Sequence, residues 1–125
     1  MSIVLDTNAL MMPVEANVRV FEELDRVLGD WTCVIPDAVV AELEKLADGA
    51  GEAATAASVG RDLAQRCSTR ATEATYADDA VCELAQADDV THVVTNDAPL
   101  KRRLLDAGVP VICLRGENKL AITQP

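Results

Sequence analysis

Ile3-Val4-Leu5-Asp6-Thr7-Asn8 sets three apolar residues directly ahead of an acid, a threonine and an asparagine. A run this short and this continuously apolar suits a strand buried on both faces, with Asp6 leaving the sheet as the strand ends. Ser2 to Leu5 is therefore expected as a first strand. The pattern recurs downstream: Thr32 to Ile35 is stopped by Pro36, Thr91 to Thr95 runs into Asn96-Asp97, and Val109 to Leu114 supplies a last core strand. Helical spacing fills the intervals. Glu15 to Leu28 carries Val18, Phe21, Leu24, Val27 and Leu28 on one stripe and ends at Gly29. Asp37 can cap a helix reaching Ala47, and further helices are expected over 52–67, 78–87 and 99–107, the last closed by Gly108. Strands that alternate with helices predict a parallel α/β sheet covered on both faces. Such sheets bind ligands in the crevice beyond the carboxyl ends of their strands, and Asp6 and Asp97 fall at two of those ends.

Half of the 125 residues are hydrophobic, enough for the core of one domain spanning 1–125. No apolar run reaches the roughly 20 residues of a membrane span, and the start meets an acid with no basic stretch before it. A cytoplasmic protein without membrane association is expected. Cys33, Cys67, Cys82 and Cys113 are scattered, with no C-x-x-C pair and only the lone His92, which predicts reduced thiols and no zinc. The net charge of −10 argues against a purely electrostatic grip on nucleic acid. Acids outnumber bases 21 to 11, and lysines are few, a balance suited to a salt-rich, halophilic cytosol where surface charge is screened.

Four acidic segments carry the chemistry: Asp6 with Asn8, the helix around Glu42, Asp78-Asp79, and Thr95-Asn96-Asp97. Carboxylates gathered in one crevice repel each other unless a divalent cation sits between them, and oxygen ligands suit Mg²⁺ or Mn²⁺. Asp6 and Asp97 also read as helix caps, a role compatible with ligation. On a helical wheel the stripe of Val39, Val40, Leu43, Leu46 and Ala47 leaves Glu42 and Glu44 each about 40° off an edge, so periodicity does not choose between them. Asp78 projects nearer its apolar stripe than Asp79, which makes Asp79 a supporting group, as are Asn8, Thr95 and Asn96. Glu22, Glu23, Asp25, Asp88 and Asp89 read as ordinary solvated faces. Lys101-Arg102-Arg103, the only basic run, follows Asp97 by one helical turn and could hold an RNA phosphate.

Taken in order, these segments resemble a PIN domain. Residues 3 to 8 are similar to that family's opening strand and first acid, and Ile35-Pro36 followed by Val39-Val40-Ala41-Glu42-Leu43 to its second-acid helix, which favours Glu42. Tyr76-Ala77-Asp78-Asp79-Ala80-Val81 resembles the third-acid segment. Val94-Thr95-Asn96-Asp97 with Leu100 to Leu104 resembles the fourth, although Ala98-Pro99 stands where charged residues are common. The doubled acid and the Leu-Lys-Arg-Arg-Leu tail lean toward proteins of ribosomal-RNA processing, with VapC-type toxins next. The resemblance implies a five-stranded parallel sheet and cleavage of single-stranded RNA. It implies catalytic, metal-holding Asp6, Glu42, Asp78 and Asp97, with one or two Mg²⁺ or Mn²⁺ ions activating water. It also raises an antitoxin or a ribosome-assembly factor as partner. A homodimer through the helix bearing Val18 and Phe21 is a further expectation.

Two other classes compete. A haloacid-dehalogenase-like phosphatase also ends strand one in Asp but needs a second Asp where this chain has Asn8. A PIN-like scaffold that binds RNA or protein without cutting is the non-enzymatic alternative, and the four filled acidic positions argue against it. With only Phe21, Trp31 and Tyr76 as aromatics, base stacking is not expected to supply specificity.

Overall fold

In a computed structural model describing residues 1–125, five strands run parallel, as the alternation requires. They are β1 (Ser2–Leu5), β2 (Thr32–Pro36), β3 (Ser68–Arg70), β4 (Val90–Val94) and β5 (Val111–Arg115). A sixth, β6 (Lys119–Thr123), pairs antiparallel with β5, so the sheet order is β3-β2-β1-β4-β5-β6. The chain winds outward from β1 to β3 and then returns to the other side of β1. The order therefore reverses between β1 and β4, where a crevice opens in folds of this kind.

Six helices flank the sheet: α1 (Thr7–Glu15), α2 (Val20–Leu28), α3 (Asp37–Ala47), α4 (Gly51–Ala64), α5 (Ala77–Ala85) and α6 (Ala98–Asp106). Buried residues from every strand but β3 and from α1 to α6 form one continuous cluster, with Ile3, Leu5, Leu10, Leu24, Ile35, Leu43, Leu100 and Ile112 among its largest fully enclosed side chains. The Ala-rich α4 packs against α1 at close range. A Cβ on Gly60 would stand 2.8 Å from the Leu10 carbonyl oxygen, so only glycine fits that crossing.

Several expectations change. The helix expected over 15–28 begins only at Val20: Glu15 ends α1 instead, and the non-helical link between them, which holds Val18, turns at Asn17, whose φ of 52° is left-handed. Residues 7–15 are helical despite Pro13, because Asp6 caps the start and Leu10, Met11 and Met12 are buried. Pro36, rather than Asp37, occupies the cap position of α3, and Asp37 is instead an acid in the first turn, where it suits the helix dipole. Val18 is 1% exposed, so it offers no dimer surface, and Phe21 packs edge-on against Trp31. The thiols are not all reduced: Cys33 and Cys67, 34 positions apart, are disulfide-bonded, because β2–β3 pairing carries the end of α4 alongside β2. Cys82 and Cys113 are free.

Four acids expected to be merely solvated have partners, Glu22 among them through an exposed pair with Arg19 at 3.3 Å. Asp25 accepts the Trp31 indole N–H at 2.8 Å, and Asp89 accepts from Arg70 at 3.1 Å. Glu23 accepts from the Leu120 N–H at 2.9 Å and from Arg26 at 2.7 Å, while Arg26 donates to the Leu120 carbonyl at 2.8 Å. Chiefly through Arg26, and then through the Leu120 amide, the Glu23 carboxyl is held down at about 2. This pair satisfies both outward-facing backbone groups of Leu120 on the edge strand β6.

Candidate active site

Asp6 leaves β1 in extended conformation and caps α1, its Oδ1 accepting the Ala9 N–H at 2.7 Å. Its Oδ2 accepts the hydroxyl of Thr95, a residue wholly buried at the end of β4. The same hydroxyl oxygen accepts the Asp97 N–H at 3.1 Å, and Asn8 Oδ1 accepts the Asn96 N–H at 3.0 Å. Asp97 in turn caps α6, with Oδ1 accepting the Leu100 N–H at 2.9 Å and Pro99 in the first turn. Thr95, Asn8 and Asn96 thus tie the two strand ends together and fix the backbone from which both acids project.

Glu42 on α3 and Asp78 in the first turn of α5 reach the same cleft, which has a volume of about 300 Å³. The four acids expected from sequence are therefore brought together on one lining. Thr7, Met11, Glu15 and Tyr76 also line it and were not expected there. Glu15 escaped detection because it belongs to the helix hidden by Pro13. Thr7 carries no periodic signal, although it stands inside the Asp-Thr-Asn segment.

Asp6 is 3% exposed, and its pKa is pushed up to about 7. Burial is the main cause; the bonds from Thr95 and Ala9 oppose it, and the charges of Asp78 and Asp97 reinforce it. The Asp78 carboxyl is also raised, first by desolvation and then by Asp97 and Glu42, with Arg103 opposing. The acids feel one another, and no lysine or arginine lines the cleft to offset them.

A divalent cation suits this donor set. The donors are all oxygens, the most buried carboxylate lacks a positive partner, and the Thr7 hydroxyl is enclosed with no hydrogen-bond partner. No three carboxylates stand in ready-made coordination geometry. Two of them are turned onto helix amides, and mutual repulsion disfavours closer approach. A Mg²⁺ ion, which keeps several waters, needs only one or two direct carboxylates.

Asp79 does not line the cleft. It pairs with Arg103 at 3.0 Å, both half-exposed. The basic run divides: Arg103 is engaged with Asp79, the Lys101 ammonium lies 3.2 Å from Cys113 Sγ, and Arg102 is exposed. None of the three lines the carboxylate cleft.

A family profile described as a PIN-like domain matches residues 3–117. The chain belongs to the PIN-like domain family. Among curated proteins, ribonuclease VapC4 of Methanocaldococcus jannaschii is 29% identical to this PIN-like chain over 124 residues, covering 96% of it and 95% of the relative. Among solved structures, the PIN domain endonuclease Utp24 superposes with a TM-score of 0.79 at 27% identity, covering 99% of the chain and 92% of that one. VapBC2 of Rickettsia felis, solved bound to a promoter DNA fragment, gives 0.60 at 17% identity over 82% of this chain and 92% of its own, a likeness of fold alone. The expected parallel five-stranded sheet of a PIN domain is present, with β6 added at its edge.

Proposed function

We propose that this PIN-like domain is an endoribonuclease that cuts single-stranded RNA with the help of Mg²⁺ or Mn²⁺. The observation that carries the reading is the convergence of Asp6, Glu42, Asp78 and Asp97, from four separate segments, on one cleft without a basic residue. These four side chains, with the Thr7 hydroxyl, would hold the cation. When bound, it would activate a water and offset charge on the phosphodiester. Asn8, Thr95 and Asn96 position Asp6 and Asp97, and Asp79 with Arg103 braces the start of α5 against α6. Lys101, Arg102 and Arg103 lie outside the cleft, on the helix that Asp97 opens, and with Arg103 and Lys101 engaged the exposed Arg102 is the one left to take a backbone phosphate. No His or Lys lines the cleft to serve as a general base. The bound cation would therefore itself lower the pKa of the attacking water.

The lean toward ribosomal-RNA processing rests on the near-complete overlap with Utp24 and on the segments around Asp78 and Lys101. VapC4, at 29% identity, supports a second reading as a toxin nuclease with an antitoxin partner. The charge of −10 supports action in a salt-rich cytoplasm.

The test is cleavage of a labelled single-stranded RNA in high salt, with Mn²⁺ or EDTA, by the wild type and Asp6→Asn. Cutting that needs the metal and vanishes in the variant is the expected result. Undiminished cutting by Asp6→Asn sinks the assignment. A folded wild type that neither cuts nor gains thermal stability from Mn²⁺ favours the non-catalytic scaffold.

A further inference from the structure

We propose that Tyr76 is a stacking platform for an RNA base at the mouth of the carboxylate cleft. This deepens the ribonuclease reading and rests on it. Tyr76 is 69% exposed, while the other two aromatic residues are spent on each other, with the Phe21 and Trp31 rings 5.1 Å apart at 67°. A solitary exposed aromatic is ordinary on a protein surface. This one lines the same cleft as the four acids, two positions ahead of Asp78.

The backbone beneath it is fastened. Tyr76 caps α5, its carbonyl accepting the Ala80 N–H at 2.9 Å. The loop leading to it is held from α5 by Glu83, whose two oxygens accept the Glu73 and Ala74 N–H groups at 3.0 and 3.1 Å. Within that loop the Thr72 hydroxyl donates to the Ala74 carbonyl at 2.7 Å. The ring is thus presented from a fixed point, which lowers the ordering cost of binding.

The chemistry of the cleft calls for such a contact. Its acids repel phosphates, so electrostatic attraction is a poor source of affinity here. A base has a neutral π-face, and stacking on an aromatic ring strengthens binding roughly ten- to hundredfold per base, whatever the base. Stacking also persists in high salt, where phosphate contacts fade.

The experiment compares wild type, Tyr76→Phe and Tyr76→Ala in two assays at high salt. One is Mn²⁺-dependent cleavage of single-stranded RNA. The other is binding, in EDTA, of the same RNA carrying 2-aminopurine, whose fluorescence is quenched on stacking. Tyr76→Ala should raise KM roughly ten- to hundredfold with little change in kcat, and lose the quench. Its thermal shift with Mn²⁺ should match the wild type, and Tyr76→Phe should retain both KM and quench. Wild-type KM and quench in Tyr76→Ala would overturn the proposal. If the wild type binds but never cuts, the nuclease reading falls while the quench still decides the platform: loss in Tyr76→Ala upholds it, and retention overturns it.

Discussion

Asp6 is an acid that the folded protein holds at a cost. Its pKa is about 7 in the fold, against an ordinary carboxylate value when unfolded. Below both values the group is protonated in either state and imposes no penalty. As pH rises from about 4 to 7 the unfolded chain releases its proton first, so stability falls, and above about 7 the loss is complete. At ~1.4 kcal/mol per unit, a shift of about 3 units bounds that loss near 4 kcal/mol. Denaturant melts in EDTA should therefore show the wild type weaker at pH 8 than at pH 5. Asp6→Asn should show little of that slope and be the more stable protein at pH 8. A wild-type stability that is flat across this range would contradict the burial argument. At this scale the sequence was informative about Asp6, Asp78 and Asp97, because each lies at a strand end or a helix start. Periodicity left Glu42 and Glu44 equally far from the apolar stripe; only the resemblance of the segment around Val39 to Leu43 favoured Glu42, which is the one of the two that lines the cleft.

Elements were legible where periodicity and punctuation agreed. β1, β2, β4 and β5 are short apolar runs with clear stops, and α3, α5 and α6 begin or end within a few residues of their expected bounds. The failures have local causes. Residues 7–15 are apolar on nearly every side and contain Pro13, so neither a stripe nor an uninterrupted run announces α1. β3 is three residues long and mostly polar, and it exists because β2 offers it an edge. The Cys33–Cys67 bond depends on that same pairing, which no local pattern reveals. It closes a loop of 34 positions, and loop-closure entropy predicts about 3–4 kcal/mol of stability. Cys33→Ser with Cys67→Ser should lower the denaturation midpoint accordingly, as should dithiothreitol on the wild type. Equal midpoints with and without reductant would show that the bond contributes nothing.

For the molecule as a whole, the alternation of strands and helices was sufficient to fix a parallel α/β sheet, and the reversal between β1 and β4 explains why the acids meet. What spacing alone could not provide was the antiparallel β6, where Glu23 and Arg26 from α2 hold the backbone of Leu120 across a long stretch of sequence. A net charge of −10 on 125 residues implies self-repulsion that salt relieves. The melting temperature should climb steadily as KCl is raised from dilute to molar concentrations at fixed pH. No rise, or a fall, would remove the argument for a salt-rich setting.

Asp6 and Asp97 each accept an amide from the first turn of the helix they precede, so they help to start α1 and α6 whether or not any reaction occurs. A relative of this protein with no catalytic role would still be under pressure to keep an aspartate, asparagine or serine at both places. Glu42 and Asp78 occupy no cap position, since Pro36 and Tyr76 fill those of α3 and α5. Across a set of sequences sharing this fold, the history of the chemistry is therefore written at positions 42 and 78. If the domain cuts RNA as proposed, persistence of acids there marks the lineages that share the activity.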